Sequence, residues 1–344
     1  MNSNCFYLSY RIMGDVHEGA VGVAAADWPA WSEDGGRTWQ TGRDPLVWLD
    51  GEPDHLLSAR VGDRLVWHYG YVAGVIHAPQ GVTAAYGITL VDYSVRDSVH
   101  ILAGQAIWTR DGGAIHGPAQ IFFYTPVNLS DSWINPHGVA LPDGSWLLTV
   151  AGFDAANKSD NGFYSLVVYK SVDGGRSFGY LSTIATPAQV PWGTEGPSES
   201  DMVQLANGDL LCVSRTGPGY SAGEGRATML ISRSSDGGQT WTLTNSGIQG
   251  VNPQLLVLQN GAIVLGFGRP GLQLVFSEDN GFTWKKAVKL NTYDEWTTGY
   301  LDLVEIEPNR LMAIYDLMGV SYEGKKINGI FRQTIDVQRR TESE

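Results

Sequence analysis

An eight-residue phrase occurs four times in this chain and constrains its fold more than any other feature. It has the form Ser-x-Asp-x-Gly-x-Thr-Trp, with Ser and Phe at its last two positions in the second copy. An Asp that accepts backbone N–H groups, beside a residue that tolerates positive φ, favours a tight reversal of the chain. The repetition predicts one turn-and-strand unit used several times, with its aromatic residue folded back between neighbouring sheets. The copies are SEDGGRTW (Ser32–Trp39), SVDGGRSF (Ser171–Phe178), SSDGGQTW (Ser234–Trp241) and SEDNGFTW (Ser277–Trp284).

Composition agrees with a chain of short strands and frequent turns. The 344 residues include 43 Gly and 12 Trp, and no stretch has the length and periodicity of an amphipathic helix. The net charge of −13 argues against nucleic acid or an anionic membrane surface as a partner. The two cysteines, Cys5 and Cys212, are too few for a disulfide framework.

The first residues give an expectation about targeting. MNSNCFYLSYRIMGD has no basic segment followed by an apolar core, and the chain has no apolar run long enough to span a membrane. We therefore expect neither a signal peptide nor a membrane span and, by default, a cytoplasmic location.

The chain divides into six groups of short apolar runs. In groups three to six, two apolar runs flank a two-residue turn, and in groups three to five the repeated phrase follows. This grammar predicts six four-stranded antiparallel blades in a single domain over residues 1–344, that is, an all-β, six-bladed β-propeller. The turns are Asp143-Gly144, Asn207-Gly208, Asn260-Gly261 and Pro308-Asn309.

The repeated phrase resembles the Asp-box, or BNR repeat, of the sialidase (neuraminidase) superfamily. The resemblance implies a β-propeller whose inner-strand loops meet at a central funnel, and a glycoside hydrolase that acts on a terminal acidic sugar of a glycan without a cofactor. As an indicator of function it is weaker, because a fold hosts many functions.

One segment resembles the sialidases at the level of residues. In SESDMVQLANGDLLCVSR (Ser198–Arg215) a Glu begins a strand, a hairpin follows, and an Arg ends the next strand. Glu199 and Arg215 match that spacing, and the hairpin would return both to the same end of the blade. Glu195 and Asp201 are nearby carboxylates that we do not expect to act.

Two later segments extend the resemblance. Arg269, before Pro270-Gly271 and the fourth phrase, lies where sialidases have a further carboxylate-binding Arg. Tyr300 falls on the position of the sialidase nucleophile. Tyr315-Asp316 matches the pair that closes that segment in the family, with Asp in place of Glu.

The chemistry explains why these residue types occur together. Sialic acid carries a carboxylate on its anomeric carbon, so an ionised Asp or Glu nucleophile would meet like-charge repulsion. A neutral phenol avoids that repulsion, and Tyr nucleophiles are known in sialidases. Glu199 would accept the phenolic proton of Tyr300. Arg215 and Arg269 would hold the sugar carboxylate through planar forks.

The acid and the first Arg are expected near the start of the chain. Sialidases have here an Arg followed by a short loop that contains an Asp. By this resemblance, in YRIMGDVHEG Asp15 is the candidate acid/base, for which His17 or Glu18 could substitute, and Arg11 is a substrate-contacting cation. Sialidases have a further strand that begins Arg-Ile-Pro, which Tyr10–Met13 resembles. Only 20 residues separate Arg11 from the first phrase, too few for the two strands that should lie between them. Either that strand is missing, which we favour, or Arg11 belongs to it and the acid loop is lost.

His137 leaves other functions open. It begins an inner strand at the position equivalent to Glu199 in the next blade, so it is a candidate substrate-binding residue. A propeller that cleaves a different sugar, by hydrolysis or β-elimination, would use His137 in place of Tyr300. A carbohydrate-binding propeller without catalysis is the alternative outside enzymes. The other histidines show no metal-ligand spacing, so we expect no metal site.

Overall fold

The computed structural model is built almost entirely of β-strands. It describes residues 6–12, 26–32, 34, 37–41, 58–61, 64–67, 72–77, 83–87, 91–96, 99–111, 114–116, 119–218, 227–291, 297–322 and 324–337. Within these ranges the only helical element is a 3₁₀ turn, Pro187–Gln189. The described residues contain no helix that is both long and apolar enough to cross a membrane. The predicted all-β class is confirmed.

The chain divides into two compact units. The first comprises Met1–Val127, Asp131–Leu148 and Lys170–Gly179, and the second comprises Asn128–Ser130, Thr149–Tyr169 and Tyr180–Glu344. The single domain expected over residues 1–344 stays a prediction.

The first unit begins with three groups of strands. β1 to β3 form one antiparallel sheet, β4 pairs with β5, and β9 pairs with β7, β8, β10 and β11. The strands are β1 (Phe6–Ile12), β2 (Ala26–Ser32), β3 (Gln40–Thr41), β4 (Ser58–Val61), β5 (Arg64–Trp67), β6 (Val72–His77), β7 (Thr83–Gly87), β8 (Val91–Arg96), β9 (Val99–Asp111), β10 (Ala114–His116) and β11 (Ala119–Thr125).

The third of the six groups predicted from the sequence forms a sheet in the order β12-β14-β15-β16, with β13 beside β14. The first residues of β16 also pair in parallel with β11, which the sequence did not predict. Phe123 and Phe178 stack at this pair with ring centroids 4.8 Å apart, and both rings are fully buried. The strands are β12 (Leu129–Ile134), β13 (Val139–Ala140), β14 (Trp146–Asp154), β15 (Tyr164–Ser171) and β16 (Ser177–Ala185).

Groups four to six have the predicted order of strand, turn and strand. Two four-stranded antiparallel sheets, β17-β18-β19-β20 and β21-β22-β23-β24, are followed by the three-stranded sheet β25-β26-β27. The strands are β17 (Ser200–Gln204), β18 (Leu210–Ser214), β19 (Thr228–Ser234), β20 (Thr242–Gln249), β21 (Val251–Val257), β22 (Ile263–Gly268), β23 (Leu272–Ser277), β24 (Lys285–Lys289), β25 (Leu301–Glu307), β26 (Arg310–Tyr322) and β27 (Lys325–Asp336).

The predicted turns lie between paired strands. Gly144, Gly208, Gly261 and Asn309 all have positive φ, between 64° and 90°. Each of the three Gly N–H groups donates to the carbonyl three residues earlier, at 3.0, 2.9 and 2.8 Å. This pattern is a type I turn closed by a left-handed residue, so these three loops are one residue longer than the sequence suggested.

The four repeated phrases adopt one geometry. In each, the Asp accepts the hydroxyl of the Thr or Ser four residues later, at 2.6 to 2.7 Å, and that residue's backbone N–H at 2.9 to 3.0 Å. The first Ser donates to the same Asp. Burial raises the pKa of Asp279, but hydrogen bonds from Thr283 and Ser277 outweigh it and bring the pKa to about 2. The phrase is therefore a turn that closes itself locally.

The aromatic residue that ends the phrase packs against the preceding sheet. Trp241 donates through Nε1 to Ser182 Oγ of β16 at 3.0 Å and to the Gly238 carbonyl at 3.1 Å. Trp284 packs against a buried cluster that contains Leu211 and Ile231 of one sheet and Leu265 of the next. The core of the second unit thus lies between consecutive sheets.

Candidate active site

Glu199 and Arg215 lie side by side at one end of the sheet β17-β18-β19-β20. They flank the hairpin of β17 and β18, in which Ser200 lies opposite Ser214. The Arg215 N–H donates to the Glu199 carbonyl at 2.8 Å, so pairing continues one residue beyond the strands. Between the side chains, Arg215 Nη1 lies 3.1 Å from Glu199 Oε1. The predicted return of both residues to one end is what the structure has.

Tyr300 reaches the same carboxylate from the sheet β25-β26-β27. It directly precedes β25, and its hydroxyl donates to Glu199 Oε1. The other carboxylate oxygen, Oε2, accepts the backbone N–H of Asn252 in β21 at 3.0 Å. Asn252 has a φ of 46°, and the register of β21 against β22 shifts there. Donors from three consecutive sheets therefore fix the carboxylate of Glu199.

Charge and burial keep the Tyr300 phenol protonated. The residue is 42% exposed, yet its hydroxyl lies against Glu199. Burial of the hydroxyl, the negative charge of Glu199 and their hydrogen bond raise the pKa of Tyr300 well above its ordinary value, while Arg215 and Arg269 lower it part of the way. At neutral pH the Tyr300 hydroxyl is therefore protonated.

Arg215 binds a second carboxylate that sequence reasoning set aside. Its Nη2 lies 3.1 Å from Glu195 Oε2, and its Nε donates to the Gly217 carbonyl at 3.0 Å. Glu195 N–H bonds to the Thr216 carbonyl at 3.0 Å, which extends the β17-β18 hairpin backwards. The expectation that Glu195 does not act was drawn from the family spacing alone, and no pattern in the sequence indicated its contact with Arg215.

Asp201, the other nearby carboxylate, connects two sheets. It is fully buried and accepts the Leu255 N–H of β21 at 2.6 Å. This contact lies two residues from Glu199, so Asp201 holds the sheets that carry Glu199 and Asn252.

Arg269 contacts the loop that bears Tyr300. It follows β22, and its Nε donates to the Thr298 carbonyl at 2.9 Å. A Cβ at Gly299 would lie 2.9 Å from Arg269 Cγ, so only Gly allows this close approach. Arg269 therefore lies beside the loop that carries Tyr300, and its charge lowers the pKa of Tyr300.

Asp316 holds the same loop from β26. Its carboxylate accepts the hydroxyls of Thr297 and Thr298 at 3.0 and 2.8 Å and the Thr298 N–H at 2.9 Å. The preceding residue, Tyr315, is buried, and its hydroxyl donates to the Leu290 carbonyl at 3.3 Å. Of the pair expected from the resemblance, Asp316 thus fixes the loop before Tyr300, and Tyr315 contacts the residue that follows β24.

Three predicted site residues are not part of this cluster as described. Asp15 lies outside the described residues. Arg11 lies in β1 of the first unit, opposite Asp27, and the structure describes its backbone but not its side chain. His137 precedes β13 in the first unit and is half-buried. The described residues contain no group of three or more His, Cys, Asp or Glu that could hold a metal ion.

Comparison with known proteins places the fold. No family model matches the sequence. A Vibrio cholerae sialidase is 28% identical over a match that spans 46% of this chain and 23% of that relative, so the chain aligns with less than a quarter of its length. A Hadza microbial sialidase superposes with a TM-score of 0.59 at 16% identity, over 91% of this chain and 61% of that one. This chain is a sialidase-like β-propeller.

Other solved structures agree with that fold. A protein of unknown function from Dyadobacter fermentans has a TM-score of 0.65 at 17% identity, and the match covers 98% of this propeller and 92% of that chain. The GH93 α-L-arabinofuranosidase of Fusarium graminearum has a TM-score of 0.56 at 14% identity, over 90% of this propeller and 85% of that chain. The predicted fold class is confirmed, and these identities carry the fold alone.

Proposed function

We propose that this propeller is a retaining exo-glycosidase that releases a terminal acidic sugar, with Tyr300 as its nucleophile. The observation that carries the proposal is the hydrogen bond from the Tyr300 hydroxyl to Glu199 Oε1. A nucleophile within hydrogen-bond reach of a base that other groups orient is the arrangement that covalent catalysis requires. Sialidase-like and arabinofuranosidase-like neighbours support a glycosidase of this general kind.

The proposed reaction has two steps. First, the Tyr300 oxygen attacks the anomeric carbon while its proton passes to Glu199, and the leaving oxygen takes a proton from Asp15, the predicted acid. Second, water attacks the same carbon as its proton returns to Asp15, and the departing Tyr300 oxygen recovers its proton from Glu199. Two inversions give net retention, and the enzyme ends in its starting protonation state.

The type of nucleophile points to the substrate. A phenol that stays neutral until attack can approach an anomeric carbon that carries a carboxylate, where a carboxylate nucleophile would be repelled. Arg269 and Arg215 provide positive charge beside Tyr300. Together these groups favour sialic acid or a related 2-keto-3-deoxy sugar.

A neutral sugar is the second candidate because of one observation. Arg215 already binds both Glu195 and Glu199, so its charge is offset within the protein. With Arg269 included, these four side chains carry no net charge. Such a site would also fit a terminal neutral sugar, and the Fusarium arabinofuranosidase shares the fold.

The test is release of a fluorophore from an aryl α-sialoside. We expect turnover by the wild type and a loss of about 10³-fold or more in Tyr300→Phe, since removing a nucleophile has effects of this order. Tyr180→Phe is the matched control, because the Tyr180 hydroxyl bonds only locally to Thr183 in the contacts described. A fluorinated sialosyl fluoride should attach to the peptide that contains Tyr300.

The outcomes separate the alternatives. Full activity in Tyr300→Phe would refute the proposed nucleophile. Turnover of aryl arabinofuranosides but not of sialosides would favour the neutral-sugar candidate. Ultraviolet absorbance of an unsaturated product from a uronate polymer would indicate a lyase, and sugar binding without turnover would indicate a non-catalytic propeller.

A further inference from the structure

The guanidinium of Arg215 is held along all three of its nitrogen atoms. Nε donates to the Gly217 carbonyl at 3.0 Å, Nη1 lies 3.1 Å from Glu199 Oε1, and Nη2 lies 3.1 Å from Glu195 Oε2. Burial lowers the pKa of Arg215, but the charges of Glu199 and Glu195 raise it by more, so the group is a permanent cation. One positive charge is thus shared between two carboxylates.

Glu195 is fixed by its backbone and is not a mobile surface residue. Its carbonyl accepts the N–H groups of Phe163 and Tyr164, both at 3.0 Å. A Cβ at Gly162 would lie 2.0 Å from the Glu195 carbonyl carbon, and one at Gly196 would lie 2.4 Å from the Tyr164 carbonyl oxygen. The Glu195 side chain is only 26% exposed. The backbone is thus fixed, and the carboxylate it carries is paired with Arg215.

We propose that Glu195 is a specificity-determining residue, which offsets the charge of Arg215 and thereby sets how strongly the site binds an anionic sugar. The inference rests on the proposed function. While Glu195 is ionised, the Nη2 edge of Arg215 faces a carboxylate of the protein and not that of a sugar. Without that charge, the Nη2 edge of Arg215 would no longer face an anion of the protein, and a sugar carboxylate could pair with it beside Glu199 and Tyr300.

The experiment compares an acid with its neutral ester. Calorimetry would measure the Kd of N-acetylneuraminic acid and of its methyl ester for the wild type, Glu195→Gln and Glu195→Asp. For Glu195→Gln we expect binding of the acid about tenfold tighter, because a charge about 7 Å away acts through an effective dielectric near 20 and is partly screened. The ester should bind unchanged, and Glu195→Asp, which keeps the charge, should bind the acid like the wild type.

Two controls separate charge from structure. Glu307→Gln makes the same charge change at an exposed residue that pairs with Arg310, and it should leave both Kd values unchanged. Adding Arg215→Gln to Glu195→Gln should abolish the gain in acid binding. A gain in both Glu195→Gln and Glu195→Asp would assign the effect to geometry and refute the role of charge.

The remaining outcomes decide between this inference and the proposed function. Acid binding in Glu195→Gln that equals or is weaker than that of the wild type overturns the inference and leaves the proposed reaction standing. If the wild type does not bind the acid but Glu195→Gln does, the inference holds and the acidic substrate fails. If neither binds the acid, both fail. Binding of the acid without turnover of a sialoside would refute the proposed reaction and leave the inference about Glu195 standing.

Discussion

Replacing Asp316 by Asn should loosen the loop that carries Tyr300. The carboxylate of Asp316 accepts three hydrogen bonds from Thr297 and Thr298, one of them from a backbone N–H. An Asn has a single acceptor oxygen. In either amide orientation it keeps the two hydroxyls or the backbone N–H, and places an NH₂ group against the donor that has lost its partner.

The size of the effect follows from those three bonds. Hydrogen bonds to a charged acceptor contribute about 1.5 kcal/mol each at the low end, and neutral ones about 1 kcal/mol. Asp316 therefore contributes about 4.5 kcal/mol, and an Asn that keeps two neutral bonds contributes about 2 kcal/mol. Because Asp316 is only partly buried, we reduce the difference to about 2 kcal/mol. Since about 1.4 kcal/mol is a factor of ten, local opening should become about thirtyfold more frequent.

Hydrogen exchange measures that opening without a substrate. The amides of Thr298 and Gly299 should exchange about thirtyfold faster in Asp316→Asn if opening limits exchange, because the Thr298 N–H loses its acceptor and the loop opens more often. Asp302→Asn is the matched control: Asp302 is exposed on β25 and bonds to the N–H of the next residue. Exchange that changes less than about threefold in Asp316→Asn, or equally in both variants, would refute the proposed hold on the loop.

Three further predictions concern stability. The pKa of Asp279 is about 2, below its ordinary 3.8, so its ionised form stabilises the fold above pH 4; Asp279→Asn should lower Tm at pH 7, and the difference should vanish as the pH falls towards 2. A deficit that stays constant with pH would contradict this. Gly162→Ala should cost about 3 kcal/mol in urea unfolding, since its Cβ meets the Glu195 backbone. Gly144→Ala, with open space and only a positive φ, should cost about 1 kcal/mol, and equal losses would refute the steric argument. Trp241→Phe should lower the urea midpoint by an amount equivalent to about 1 kcal/mol, because the Nε1 bonds to Ser182 and Gly238 are lost. An unchanged midpoint would show that these bonds contribute nothing.

The sequence predicts best where interactions are local. The apolar runs and turn residues of β17 to β26 were readable because a hairpin depends on a few adjacent residues, and the fold class follows from them. The approach of Tyr300 to Glu199 was expected only through the resemblance, since the two residues lie 101 positions apart. Spacing alone contains no information about such a contact.

What the sequence missed depends on contacts between distant segments. The parallel pair of β11 with β16 brings together Phe123 and Phe178, which no periodicity connects. The contact of Glu195 with Arg215 was missed because close approaches at Gly162 and Gly196 position the Glu195 backbone, and the family spacing does not show them. For Arg269, its position was expected, but its bond to the Thr298 carbonyl depends on the path of a loop in the next sheet.

The anchoring of Glu199 by three sheets has a consequence for how activity is acquired. Arg215, Asn252 and Tyr300 each belong to a different sheet, so under the proposed function no single sheet contains both the nucleophile and the base. During refolding, strand content can therefore recover before any catalysis does, and the return of turnover would mark the docking of the last sheet. If the proposed reaction holds, turnover would therefore report the assembly of these sheets.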